Sequence, residues 1–131
     1  MSPPSVLVVD DDVGMVDTLA DILGARRYRV ETAYSGDAAI AMVRRMAYDA
    51  VLMDIQMPGV NGVEALRQMK GLAPGITVIM MTAFTRDELV EEARSATALA
   101  VLPKPLDMDR VLALLVQITR PPGPTGAADA L

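Results

Sequence analysis

Four short segments of this 131-residue sequence carry side chains that could do chemistry. They are three consecutive acids at 10–12, a lone acid at Asp54, the pair Thr82 and Ala83, and Lys104. Carboxylate oxygens without nitrogen or sulfur ligands suit Mg²⁺, which uses one or two carboxylates together with waters and phosphate oxygens. A lysine adds a compact positive charge for an anionic group, and a threonine adds a hydroxyl donor. This set of residues favours phosphoryl chemistry at a magnesium site.

The composition excludes most other catalytic chemistry. The sequence contains no histidine and no cysteine, which removes imidazole bases, thiolate nucleophiles and zinc sites built from these residues. The net charge of −5 argues against a nucleic-acid surface. No apolar run approaches the roughly 20 residues of a bilayer span, and the first residues lack the basic start of a secretory signal. We therefore expect a cytoplasmic protein that does not bind membranes.

Short apolar runs alternate with amphipathic helical patterns five times, which predicts five βα units. Because parallel strands need long right-handed crossovers, such units predict a parallel sheet with helices on both faces. The alternating second strand is expected at a sheet edge, and the very hydrophobic fourth strand at the centre. The expected strands are 6–9, 28–33, 49–53, 76–81 and 99–102. The expected helices are 13–25, 36–46, 63–69, 86–94 and 107–119.

The chain is expected to form one domain over residues 1–119, because its length and its apolar content of 52% suffice for one core. In the second helix, Ile40, Val43 and Ala47 are expected to face that core. Residues 120–131 are rich in proline and glycine and are expected to form a flexible tail or an interdomain linker.

The chemically interesting residues follow the expected strands, and in open α/β sheets the working site lies beyond the carboxyl ends of the strands. The first strand runs into the acids at 10–12, the third into Asp54, the fourth into Thr82 and the fifth into Lys104. Carboxylates form acyl phosphates in some phosphoryl transfers. Because Asp54 stands alone at the end of an interior strand, it is the best candidate for the nucleophile. The adjacent acids are better explained as metal ligands.

Four segments together resemble the receiver domain of bacterial two-component response regulators. They are Val-Val-Asp-Asp-Asp at 8–12, Met-Asp-Ile-Gln-Met-Pro-Gly-Val-Asn-Gly at 53–62, Met-Thr-Ala at 81–83 and Pro-Lys-Pro at 103–105. The resemblance covers about residues 5–119. It implies a flavodoxin-like, doubly wound five-stranded parallel sheet of order 2-1-3-4-5 with helices on both faces.

The resemblance also implies a role for each site residue. Asp54 would accept a phosphoryl group from the phosphohistidine of a histidine kinase or phosphotransfer protein, and the bond before Pro105 would be cis. Asp11 and Asp54 would bind Mg²⁺ directly, and Asp10 would act through water. The full implied Mg²⁺ set is Asp10, Asp11, Asp54 and the backbone carbonyl of Gln56. The implied phosphoryl-binding groups are Thr82, the amide of Ala83 and Lys104.

A receiver domain of this kind is a phosphorylation-controlled signalling domain and not an ordinary enzyme, although it catalyses its own phosphotransfer and slow dephosphorylation. The resemblance implies a downstream protein target or output domain that is recognised through the fourth helix, the fifth strand and the fifth helix. Direct nucleic-acid binding is not expected. Whether phosphorylation produces a dimer stays open.

Three positions depart from the family pattern or tune it. Val101 stands where receiver domains usually have Tyr or Phe, so we expect its burial to change little on phosphorylation. Gln56 and Phe84 occupy positions that in the family control access of water to the acyl phosphate. A bulky Phe84 is expected to exclude water and to slow self-dephosphorylation.

Three alternatives to a phosphoacceptor receiver domain remain to be compared with the sequence. Residues 10–14 also resemble the nucleophile motif of haloacid-dehalogenase-like phosphatases, which would make Asp10 the nucleophile of a hydrolase. Such enzymes usually need a second acidic pair late in the chain, whereas Asp107 and Asp109 are expected to open the last helix. A flavin mononucleotide carrier is disfavoured because acids in the first loop repel phosphate. A receiver used only for docking would not need the intact set of acids, threonine and lysine.

Overall fold

The structure, a computed structural model, describes residues 3–83 and 88–119, in which five strands alternate with five helices. The strands are β1 Ser5–Val9, β2 Arg29–Ala33, β3 Ala50–Asp54, β4 Val78–Thr82 and β5 Ala100–Pro103. The helices are α1 Val13–Ala25, α2 Gly36–Arg45, α3 Gly62–Leu72, α4 Glu88–Ser95 and α5 Met108–Thr119. The predicted alternation of strands and helices is therefore confirmed.

All four strand pairs are parallel, and the order is β2-β1-β3-β4-β5. The flavodoxin-like order expected from the resemblance is confirmed. β2 lies at an edge, as its weaker apolar pattern indicated. β4 lies between β3 and β5, so the prediction that this very hydrophobic strand is central and not at an edge is confirmed. β1, β3 and β4 are each buried at all five of their residues.

Two apolar clusters cover the two faces of the sheet. On one face, α2, α3 and α4 pack against β1, β3 and β4 through residues such as Ile40, Leu66 and Ala93. On the other face, α1 and α5 pack through residues such as Leu19 and Leu115. In an open sheet covered on both sides, the working site lies beyond the carboxyl ends of the strands. No helix in the described part of the chain has the length and hydropathy of a bilayer span.

Side-chain caps set the helix starts. The side chains of Asp12, Ser35 and Asn61 each accept a backbone N–H from the first turn of α1, α2 and α3. Because Asn61 caps α3, Gly62 is already helical and is not part of the preceding loop. α3 also ends at Leu72, three residues later than predicted.

The prediction that Ala47 faces the core was wrong. α2 ends at Arg45, and Met46 has extended backbone with φ −137° and ψ 148°. Ala47 is consequently exposed, and Tyr48 at 8% exposure belongs to the core cluster instead. The other boundaries differ from prediction by one or two residues. The predicted start of α4 at 86 and the predicted tail at 120–131 lie outside the described residues.

Two helices end in the same backbone motif without the usual glycine. After α4, the N–H of Thr97 donates to Arg94 and that of Ala98 donates to Ala93, and Thr97 has φ 67°. This is the Schellman arrangement, in which the residue with positive φ is most often glycine. Arg27 takes the same position after α1 with φ 71°.

We expect Thr97→Gly to raise the free energy of unfolding by about 1–2 kcal/mol. A β-branched residue with positive φ is strained by its Cβ, and glycine removes that strain. The measurement is urea denaturation followed by circular dichroism. Ser95→Gly, at the last helical position of α4, should lower stability by about 0.5–1 kcal/mol. Equal effects of the two substitutions would contradict the assignment of strain to Thr97.

Candidate functional site

Three carboxylates meet at the carboxyl end of the sheet. The register of β1 and β3 pairs Val9 with Met53, so the residues that follow them lie side by side. One carboxylate oxygen from each of Asp10, Asp11 and Asp54 lies within 4.8 Å of the other two. Asp10 and Asp54 are buried, at 1% and 6% exposure, whereas Asp11 is exposed. The three acids predicted from sequence as metal ligands are therefore brought together, with Asp11 on the solvent side.

Lys104 brings a positive charge to this cluster. The backbone N–H of Lys104 donates to the Thr82 carbonyl at 2.8 Å, which anchors the residue to the end of β4. The Lys104 ammonium donates to Asp10 Oδ2 at 2.7 Å and lies 3.5 Å from Asp54 Oδ1. The bond between Lys104 and Pro105 is cis, as the resemblance implied. The lysine thus spans two buried carboxylates from the opposite side of the sheet end.

The Asp10 carboxylate is fixed through both of its oxygens. Its Oδ2 accepts from Lys104, and its Oδ1 accepts the backbone N–H of Asp12 at 3.0 Å. Asp12 in turn caps α1 by accepting the N–H of Met15 at 3.1 Å. These bonds connect the first loop, the start of α1 and the end of β5, so the acids are positioned by three separate elements.

The electrostatics of the cluster favour an additional cation. Burial, followed by the charge of Asp10, raises the pKa of Asp54 to about 6, although Lys104 and the backbone N–H of Gln56 oppose the rise. Burial lowers the pKa of Lys104, but its hydrogen bond to Asp10 and the charge of Asp54 outweigh that effect and leave the pKa above its ordinary value. One ammonium does not neutralise three clustered carboxylates.

The donor set fits a hard divalent cation. The clustered ligand atoms are carboxylate oxygens, which Mg²⁺ and Mn²⁺ prefer over nitrogen or sulfur. The exposed position of Asp11 leaves room for water, and Mg²⁺ characteristically keeps several waters. Gln56 follows β3 directly after Ile55 and is partly buried next to this cluster, where its backbone N–H already reaches Asp54.

Thr82 and Ala83 flank the site on the β4 side. Asp54 pairs with Met81 in the register of β3 and β4, so Thr82 stands one residue beyond Asp54 along the neighbouring strand. Thr82 is buried at 2% exposure, and Ala83 is exposed. All residues predicted from sequence for this site therefore lie at the same end of the sheet.

Sequence reasoning missed the contribution of Gly62. Its N–H donates to the Ile55 carbonyl at 2.6 Å, and α3 begins directly against the backbone of Asp54. A Cβ at this position would overlap the carbonyl oxygen of Asp54 and would lie 2.7 Å from Met80 Cε. The signal in the sequence was an Asn-Gly pair, which we interpreted as loop punctuation and not as a capped helix start.

The raised pKa of Asp54 predicts a pH dependence in the absence of magnesium. Because the folded state binds this proton more tightly than the unfolded state, the contribution of Asp54 to stability is highest below pH 4 and is lost as pH rises through about 6. The full loss corresponds to about 2–3 kcal/mol. Urea denaturation in a metal chelator at pH 4.5 and 7.5 measures it.

Asp54→Asn provides the control for that experiment, since it removes the titrating group. We expect the variant to be more stable than the wild type at pH 7.5 and to approach it at pH 4.5. If the wild type instead became more stable than Asp54→Asn as pH rises, the pKa of Asp54 would not be raised.

Comparison with known proteins agrees with this geometry. Residues 6–116 match the family of response regulator receiver domains. The chain is a member of that family. A receiver domain protein of Methanospirillum hungatei has a similar structure, with a TM-score of 0.83 and 28% sequence identity over 89% of this chain and 97% of that one. Receiver domains are signalling domains, and the alternative of a haloacid-dehalogenase-like phosphatase with Asp10 as nucleophile receives no support.

Two curated relatives differ in how much of their length this receiver domain covers. The transcriptional regulatory protein ZraR of Salmonella typhimurium is 42% identical over 93% of this chain, but the match spans only 28% of ZraR. Sporulation initiation phosphotransferase F of Bacillus subtilis is 32% identical over 85% of this chain and 90% of its own length. The fold is thus common to a long regulator and to a protein of similar size.

The expectations for Val101 and Phe84 both stay predictions. Val101 lies in β5 and is partly buried. It packs against the apolar cluster that lies beneath α2, α3 and α4. The expectation that its burial changes little on phosphorylation stays a prediction. Phe84 lies outside the described residues, so the expected role of Phe84 in slow dephosphorylation stays a prediction as well.

Proposed function

We propose that this receiver domain accepts a phosphoryl group on Asp54 in a magnesium-dependent reaction. The observation that carries the proposal is that the buried Asp54 carboxylate lies close to the Lys104 ammonium, which follows β5, and to two further acids that follow β1. A carboxylate in such a setting can act as a nucleophile toward phosphorus. Positioning and neutralisation of charge account for most of the catalysis of phosphoryl transfer.

The proposed reaction is a single displacement. An Asp54 oxygen forms a bond to the phosphorus of a phosphohistidine, and the P–N bond breaks with its electron pair passing to the imidazole. The product is an acyl phosphate on Asp54, which hydrolysis later returns to the free carboxylate. The phosphohistidine lies outside residues 1–131, because they contain no histidine.

Each surrounding group has a proposed task. Asp10, Asp11, Asp54 and the carbonyl of Gln56 would hold Mg²⁺, which when bound offsets the negative charge of the carboxylates and the phosphoryl oxygens. The phosphoryl oxygens would accept hydrogen bonds from the Thr82 hydroxyl, the Ala83 N–H and the Lys104 ammonium. Lys104 already lies within 3.5 Å of Asp54, so it is positioned to reach an oxygen added there.

The proposed setting is a two-component signalling system in the cytoplasm. A histidine kinase or phosphotransfer protein would supply the phosphoryl group, and phosphorylation would change the surface formed by α4, β5 and α5. The recipient would be a downstream protein or an output domain, in keeping with the similarity to ZraR, a transcriptional regulatory protein. Direct contact with nucleic acid or membrane is not proposed for this domain.

The test is incubation with Mg²⁺ and a small acyl phosphate donor, followed by mass mapping of the labelled residue. We expect one phosphoryl group on Asp54 and no uptake when a chelator replaces the metal. A label on Asp10, or steady hydrolysis of a phosphomonoester, would overturn the proposal in favour of phosphatase chemistry.

A further inference from the structure

An open groove lies at the end of the sheet opposite to the acids, beside the carboxyl end of α2. One depression of about 320 Å³ is lined by Glu31, Met42, Arg45, Met46 and Tyr48. A second, of about 230 Å³, shares Met46 and Tyr48 with the first and extends to the connection 73–76 between α3 and β4. We call the two depressions together the Met46 groove. Because the groove is remote from the carboxylates, its use does not depend on phosphoryl chemistry.

The groove is lined by apolar, adaptable side chains over a fixed floor. Met46 is 42% exposed and lines both depressions, and methionine side chains adjust their shape to a ligand at low energetic cost. Tyr48 forms the floor at 8% exposure, and its hydroxyl donates to Glu31 at 3.0 Å. Such a surface fits an apolar side chain inserted from outside.

Five exposed arginines surround this end of the molecule. They are Arg26, Arg27, Arg29, Arg44 and Arg45, and within the described residues none of them has a carboxylate at ion-pair distance. The nearby acids Glu31 and Asp49 keep their charge, since the Tyr48 hydroxyl and the Ser5 N–H that donate to them are neutral, but the five arginines outnumber them. In a chain of net charge −5, this concentration of unpaired arginine is complementary to an acidic ligand.

Arg29 and Arg45 lie closest to the groove floor. Burial is the main reason why the pKa of Tyr48 rises to about 12, with further increases from Glu31, whereas the charges of Arg29 and Arg45 oppose the rise. Both guanidinium groups are therefore near enough to act on the Tyr48 hydroxyl. Arg45 also lines the first depression, and Arg29 lies two residues before Glu31, which lines it as well.

The adjacent edge of the sheet favours a polypeptide over other acidic ligands. The N–H of Arg29 donates to Pro4 and the carbonyl of Ala33 accepts from Asp10, so alternate residues of β2 from Arg29 onward point their backbone groups to β1. Val30 and Thr32 point theirs away, and β2 is an edge strand among the described residues. Open backbone groups of this kind can pair with the main chain of an extended peptide.

We propose that the Met46 groove binds an extended acidic peptide segment of a partner protein. An apolar side chain of the segment would enter between Met42 and Met46. Its carboxylates would pair with Arg45 and Arg29, while its main chain runs along the open edge of β2.

The experiment is a selection of random peptides displayed on phage against the immobilised chain at low ionic strength. We expect the enriched peptides to combine Asp or Glu with Leu, Met or Phe. A synthetic copy of one of them, labelled with fluorescein, is then titrated with the chain and its variants. Arg45→Glu should weaken binding by at least about tenfold.

Three controls keep the result specific. Arg94→Glu makes the same charge change on α4, far from the groove, and should alter affinity by less than about twofold. Met46→Ala should weaken binding without changing the charge. Asp54→Asn should bind as the wild type does, so failure of the proposed phosphoryl chemistry would leave this result intact.

Several outcomes would overturn the inference. They are the absence of enriched peptides, enrichment of neutral or basic peptides, and binding that Arg45→Glu leaves unchanged. Sedimentation at increasing protein concentration tests whether a second copy of the chain occupies the groove. If the chain self-associates and Arg45→Glu abolishes this, the occupant is a second copy and not a partner peptide. Binding of a fluorescent oligonucleotide that depends on Arg45 and displaces the peptide would assign the arginines to nucleic acid instead.

Discussion

Asp54→Asn is expected to abolish phosphoryl uptake from a small acyl phosphate in the presence of Mg²⁺, with a rate reduced by a factor on the order of 10³ or more. The amide keeps nearly the shape of the carboxylate but lacks the nucleophilic charge. It also removes one of the three clustered acids. The measurement is intact-protein mass spectrometry over time, with the variant and wild type at equal concentration.

Asp12→Asn is the matched control for that loss. Asp12 belongs to the same run of acids, but its side chain caps α1 and is not part of the carboxylate cluster. Asparagine is as good an N-cap as aspartate, so the fold should be unaffected. Uptake by Asp12→Asn should stay within about threefold of the wild type, because the cluster itself is preserved. Substantial labelling of Asp54→Asn would place the acceptor elsewhere.

Gly62→Ala is expected to lower the free energy of unfolding by about 3 kcal/mol or more. The added methyl group would overlap the Asp54 carbonyl oxygen and would lie 2.8 Å from Ile55 Cα, and both neighbours belong to the backbone. Overpacking against backbone atoms cannot be relieved by a change of rotamer, so α3 must shift. Since α3 starts against Asp54, we also expect slower phosphoryl uptake. Urea denaturation and the labelling assay measure the two effects.

Gly71→Ala in the same helix tests whether the effect belongs to the site. A Cβ at Gly71 meets no atom within 4 Å, so alanine there brings only its higher helix propensity. The expected result is a gain of about 0.5–1 kcal/mol. If both substitutions lowered stability by a similar amount, the close packing around Gly62 would not be the reason why glycine is required there.

The apolar runs predicted the elements well because each interior strand is buried on both faces, so its polar residues are confined to its ends. β1, β3 and β4 were each found within two residues of their observed bounds. The errors occurred where a local contact and not periodicity decides the boundary. α3 continues past Met69, and the Lys70 ammonium donates to the Ile76 carbonyl at 2.7 Å across the following turn. Pattern alone does not reveal that bond.

The end of α2 shows the same limit. A helical stripe extrapolated from Ile40 and Val43 selects Ala47, but the chain leaves the helix at Met46 and turns Tyr48 inward. Met46 and Tyr48, which this turn positions, both line the first depression of the groove. The groove could not be anticipated from periodicity.

By itself the sequence determined which residue types stand at the ends of the strands, and parallel strands of one sheet necessarily present those ends together. That is why Asp10, Asp54, Thr82 and Lys104 could be assigned to one site in advance. Only the tertiary structure decided that Lys104 bonds to Asp10 at 2.7 Å and lies farther from Asp54, at 3.5 Å. Such distances depend on how loops from different strands are held relative to one another. Spacing along the chain carries no information about them.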